Sequence, residues 1–236
     1  MMAARELRLW RVLAAVGLSL IIFPGIDLFV SRQFFLPEFT DPALKFMLSG
    51  TSVAEAEHWI IRYGSLALAA VLVGTFLYSA IRRCRLGGVE SRRLLFLVLA
   101  LVIGPGLVTN LLLKETWSRA RPSQIQEFGG PLKFSPALVM SNQCEHNCSF
   151  VSGDASIGFF LHSFAYVARR RQREIFFGGL ATGLLIGLCR IAEGAHFLSD
   201  ILYAGAFMVA ASAAVHALMY GRSATLAWWR EHILPA

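Results

Sequence analysis

The chain has 236 residues, 56% of them hydrophobic and only 16% charged, with a mean hydropathy of +0.58. That balance excludes an ordinary soluble domain and indicates a membrane protein. The net charge of +7 would suit a nucleic-acid partner, but the basic residues gather at the ends of apolar runs, a pattern of membrane topology that argues for no nucleic acid.

Six apolar runs are predicted as membrane-spanning helices: Trp10–Val30, Trp59–Ile81, Leu94–Leu113, Ser152–Ala168, Ile175–Gly194 and Leu198–Tyr220. The fold class is therefore an all-α helical bundle. The first run follows "RELRLWR" without a small-residue cleavage site and reads as a retained anchor. The fourth is short and needs its polar first turn to reach spanning length. Four basic segments alternate with these runs: Arg5, Arg8 and Arg11; Arg82, Arg83, Arg85, Arg92 and Arg93; Arg169, Arg170, Arg171 and Arg173; Arg222 and Arg230. They hold 14 of the 22 Lys and Arg and fall on one side, so the positive-inside rule puts both termini in the cytoplasm.

The opposite, periplasm-like side then holds 31–58, 114–151 and a tight turn at 195–197. Within the first, "LPEFTDPALKFMLSGTSVAEAEH" mixes apolar residues with acids and reads as an amphipathic helix lying at the interface. Cys144 and Cys148 are too few for a zinc site and suit a local disulfide on an oxidising face. Trp228 and Trp229 fit an interfacial aromatic belt. No repeat, low-complexity tract or long linker interrupts the chain, which predicts a single membrane-embedded domain over 1–236.

Unusual polar residues gather at the outer ends of spans three to six. Lys114, Arg121 and Arg190 are cations suited to a multiply charged anion, the arginines matching phosphate oxygens in pairs. Ser152 and the free amides that open span four form an N-terminal anion site, and Gly153 lets a ligand approach the backbone. His196 and Asp200, four apart, suit a histidine whose tautomer is set by a carboxylate. Each has a plainer reading. Lys114 and Arg190 could snorkel. Ser152 and Asp154 could be a cap with a dipole-complementing acid. His196 and Asp200 could be a structural pair, and Arg119 could pair with Glu115 at the surface. His162 and His216 read as packed residues. The combination carries the functional case.

The spacing of these residues resembles a known family. "KETWSRARP", Lys114 to Pro122, resembles K-x6-R-P. "VSGD", Val151 to Asp154, resembles P-S-G-H. "RIAEGAHFLSD", Arg190 to Asp200, resembles the end of S-R-x5-H-x3-D. These are the signature motifs of the type 2 phosphatidic acid phosphatase superfamily, and the likeness covers 114–200 directly. It implies a phosphatase in which His196 is the nucleophile and forms a phosphohistidine, while Asp200 orients it. Lys114, Arg121, Ser152, Gly153 and Arg190 would hold the phosphoryl oxygens. It implies no metal and no other cofactor, since cations stabilise the charge.

Three positions depart from the pattern. Val151 replaces a proline and Cys189 a serine. Asp154 stands where the family has the histidine that serves as general acid. An aspartate at its ordinary pKa of about 3.9 is ionised at neutral pH and donates nothing. Three resolutions stay open: a raised pKa, a leaving group that needs no proton, or another donor with Asp154 contacting the head group.

The "SGD" variant in a compact six-span chain is similar to bacterial envelope enzymes acting on lipid A phosphates, undecaprenyl diphosphate or phosphatidylglycerol phosphate. The expectation is hydrolysis of a lipid phosphate at the outer face of the inner membrane, with lipid A-type phosphate removal first. The partners expected are the lipid substrate and the bilayer. A lipid phosphotransferase, a phospholipid-binding or transport protein, and a vanadate-dependent oxidation are the competing classes.

Overall fold

A computed structural model describes residues 23–39, 41 and 44–234. Most of the first predicted span lies outside the described residues; its end appears as α1, Gly25–Arg32. The remaining helices are α2 Ser52–Arg82, α3 Ser91–Thr116, α4 Gly153–Phe160, α5 Gln172–Ala192, α6 Leu198–Tyr220 and α7 Arg222–His232. No strand occurs among the described residues. Helices α2, α3, α5 and α6 are long and apolar enough to cross a membrane, which makes this an integral membrane protein.

Local sequence sets the ends. The Thr51 hydroxyl caps α2 by accepting from the Ala54 amide, and α2 stops where Arg83 turns left-handed. It therefore starts seven residues before the predicted Trp59, so "SVAEAEH" forms the first two turns of a span. The interfacial helix expected over 36–58 is thus corrected. Its described residues before Thr51 form turns instead, with the Leu36 amide bonding to Lys45 and that of Met47 to Phe34. Phe46 is drawn into a cluster with Phe35, Phe128 and Phe197, which anchors the segment to the bundle.

Pro105 lacks the amide an α-helix needs and lies between Gly104 and Gly106. Around it Val102–Leu113 of α3 unwinds to π-helical pairing, and the Lys114 amide bonds five residues back to Thr109. The fourth apolar run is α4 extended by a 3-10 turn, Leu161–Tyr166. At 1.5 and 2.0 Å per residue this reaches about 24 Å, less than a full crossing. It works as a central element: Ala155 and Phe159 are buried against α5 and α6, Gly158 against α5, and Phe160 against α2, α3 and α6.

The bundle has two unlike ends. At one, Arg169 donates to the Gly88 carbonyl and Arg92 to that of Met219, joining the arginine-rich connections. There Trp228 stacks on Tyr166 at 3.9 Å and Trp229 donates to its hydroxyl, so both pack against this end of the bundle. The other end gathers the tips of α1 to α6 around the polar residues described next.

Candidate active site

His196 occupies the turn between α5 and α6 and is buried. The turn forms because Gly194 accepts a left-handed φ of 70°, after which the amides of Ala195 and His196 both bond to the Arg190 carbonyl. His196 Nδ1 lies 2.7 Å from the Ser149 carbonyl. A carbonyl only accepts, so Nδ1 carries the proton and Nε2 the free electron pair. Burial, helped by the nearby Arg121 and Arg190 charges, pushes the imidazole down to about 4 against the pull of Asp200. The ring is therefore neutral at neutral pH.

Asp200 lies 3.8 Å from that Nδ1, too far to be the direct acceptor. Its carboxylate accepts instead from the Ser149 hydroxyl at 2.6 Å, the Phe197 amide at 2.8 Å and Arg119 Nη1 at 2.5 Å. Asp200 thus holds Ser149, and Ser149 holds His196. The pairing of Arg119 with Glu115 is corrected. Arg119 is fully buried, bonded to Asp27, Asp200, Ser199 and the Ser135 carbonyl, with its guanidinium 4.3 Å from the centre of the Phe197 ring. The helix ends at Thr116, so the i,i+4 geometry assumed for a surface pair does not exist at residue 119. Burial disfavours its charge, but Asp200 and Asp27 outweigh this and raise its pKa.

Arg121 and Arg190 lie near His196, and Lys114 lies near both arginines. Lys114 Nζ donates to the Asn147 side chain at 3.0 Å, and Arg121 Nη2 donates to the Asn147 carbonyl at 2.9 Å. Asn147 takes a left-handed φ of 51°, which asparagine tolerates, inside the loop closed by a Cys144–Cys148 disulfide. Burial and the neighbouring Arg190 lower the Arg121 pKa. Arg190 is 5% exposed near the end of α5. It is not snorkelling: its Nε lies 3.1 Å from Asp154 Oδ2, and its Nη1 contacts Glu193 and His58.

Ser152 caps α4 by accepting from the Ala155 amide, as the plainer reading held. Gly153 leaves the backbone open beside Lys114; a Cβ there would stand 3.1 Å from Lys114 Nζ. All eight predicted site residues therefore meet at this end. The residues missed are Asp27, Glu57, His58, Asn147, Ser149 and Glu193. Ser149 follows directly on Cys148, whereas Glu57 and His58 end the segment expected as an interfacial helix and carry no motif.

A family model described as the PAP2 superfamily matches residues 93–224. A lipid A 4'-phosphatase of Francisella tularensis subsp. novicida is 32% identical over 85% of this chain and 89% of its own length. Lipid A 4'-phosphatases of Rhizobium etli and Rhizobium leguminosarum are 32% and 30% identical, over 81% and 82% of this chain and 77% and 86% of theirs. No solved structure matches it significantly.

Proposed function

Because this chain belongs to the PAP2 superfamily and is a phosphatase, we propose that it removes a phosphate from a lipid A-type substrate at the periplasmic face of the bacterial inner membrane. The observation that carries this is the neutral His196, with its Nε2 electron pair free, Arg121 and Arg190 beside it and Lys114 next to those arginines. His196 Nε2 attacks phosphorus as the bond to the lipid oxygen breaks, which leaves a phosphohistidine that water hydrolyses. The three cations and the α4 amides hold the phosphoryl oxygens and take up charge in the transition state. Asp200 acts through Ser149, keeping the ring's proton on Nδ1 through the attack.

Our reading counts the first apolar run and α4 with its flanking residues as crossings beside α2, α3, α5 and α6, and under the positive-inside rule that topology has both termini and the arginine-rich end in the cytoplasm. The phosphate cradle at the other end then opens to the periplasm. The similarity to three lipid A 4'-phosphatases favours that lipid over undecaprenyl diphosphate and phosphatidylglycerol phosphate.

Purified protein in detergent should release inorganic phosphate from 4'-phosphorylated lipid A faster than from the other two lipids. His196→Ala should lower that rate by at least about 10³-fold, as loss of a nucleophile does. Retained turnover in the variant would exclude the phosphohistidine route. Mass spectrometry of envelope lipids from cells with active and inactive protein would read the substrate directly.

A further inference from the structure

The reaction above needs a proton for the departing lipid oxygen, and Asp154 is badly placed to give one. Its Oδ2 lies 3.1 Å from Arg190 Nε, an ion-pair contact without hydrogen-bond geometry, so its charge is balanced by the guanidinium. Two further carboxylates crowd the same group. Glu193 contacts Nη1, and Glu57 Oε2 lies 3.7 Å from it. Three carboxylates thus crowd one guanidinium, Lys114 and Arg121 lie near Asp154 and not near Glu57, and like charges this close favour keeping a proton on one of them. Glu57 has the least support as an anion. It is the farthest from the guanidinium, its side chain is 14% exposed, and neither of its oxygens has a hydrogen-bond partner.

Glu57 also lines a second feature. An apolar groove of about 710 Å3 lies between α2, α4 and α5, walled by Ile60, Ile61, Ile157 and Ile186, with Glu57 among its lining residues. Phosphate in the cradle and lipid in the groove are joined by the oxygen that must leave. Glu57 borders both spaces.

We propose that Glu57 is the general acid of this phosphatase, and that Asp154 is a positioning residue that holds Arg190. This rests on His196 being the nucleophile. As the His196 Nε2–P bond forms, the P–O bond to the lipid breaks and its electron pair takes the Glu57 proton, leaving a lipid alcohol and a Glu57 carboxylate. Bulk water returns a proton to that carboxylate, and a second water, keeping its own protons, attacks phosphorus. The N–P bond breaks, and inorganic phosphate, neutral His196 and protonated Glu57 result.

The test compares leaving groups with the full-length protein in detergent. Glu57→Gln should lower kcat on a long-chain alkyl phosphate by about 10²-fold or more, but change p-nitrophenyl phosphate hydrolysis only about threefold, since an aryl oxide leaves without a proton. Retained aryl phosphatase activity shows that the variant is folded. Glu57→Asp, which keeps an acid, should lose less on the alkyl substrate. The basic limb of the alkyl phosphate pH–rate profile should vanish in Glu57→Gln. The charged and titratable groups facing Glu57 are Asp154 on α4, Arg190 and Glu193 at the end of α5, and His58 beside it. Asp154→Asn should weaken both substrates alike, mainly through KM.

Equal losses on both substrates in Glu57→Gln, or none, would overturn the proposal. So would a leaving-group-dependent loss in His58→Gln or Asp154→Asn with Glu57→Gln unaffected. Glu57, His58 and Asp154 also bring ligand atoms within 4.8 Å of one another. Inactivation by a chelator with rescue by Mg2+ would make them a metal site and overturn the proposal too. His196→Ala should be inactive on both substrates, and activity surviving it would refute the nucleophile instead.

Discussion

Arg119 illustrates how a single side chain organises this site. It has no solvent contact, yet it carries the positive charge between Asp27 of α1 and Asp200 of α6. Asp27 in turn accepts from the amide and hydroxyl of Ser199, so the first and last spans are tied at the level of His196. Removing one member of such a group leaves buried charge unpaired, a worse outcome than never having had the pair. Arg119→Leu is expected to destabilise the protein by about 3–5 kcal/mol. Thermal unfolding in detergent would measure this, and adding Asp27→Asn should recover part of the loss. Activity should fall as well, because Asp200 would no longer be held against Ser149.

At the scale of elements, the cradle depends on how closely α4 approaches α5. Gly179, Gly183 and Gly187 recur every four residues along α5 and form one small-residue face. A Cβ at Gly183 would stand 2.3 Å from the Phe159 ring, and one at Gly179 would stand 2.2 Å from the His162 backbone amide. Larger residues there must push α4 away, and the Ser152–Gly153–Asp154 turn moves with it. Gly183→Leu is expected to cost about 1–3 kcal/mol by overpacking and to lower turnover together with thermal stability. Gly178→Leu is the control: its position is exposed with nothing within 4 Å, so both quantities should stay near the parent values. Comparing the two variants separates helix spacing from the general effect of a leucine in this helix.

For the whole molecule, the arginine-rich connections and the cradle lie at opposite ends of the bundle, so orientation decides which compartment supplies substrate. The proposed topology predicts that an impermeant thiol reagent labels Val139→Cys from the periplasm, and Ser223→Cys only after lysis, with Cys84 and Cys189 replaced. Both positions are exposed. Much was legible in the sequence because it depends on local pattern. Apolar runs of bilayer length specify helices, and the spacing from Lys114 to Asp200 picked out the eight candidate site residues and the superfamily. Boundaries were less legible: α2 begins early because Thr51 caps it, and the fourth run tightens from α4 to a 3-10 turn at Leu161. Partners distant in sequence were not legible at all. That Arg119 meets Asp27 across 92 residues, or that Glu57 and His58 reach Arg190 from another helix, leaves no periodicity or spacing to read. Hydrophobic pattern and turn chemistry act over a few residues, so the chain alone determined the helices and the motif-bearing cradle. Only packing brought the distant charges within a few ångströms, and so decided which of them hold His196 and Arg190 in place.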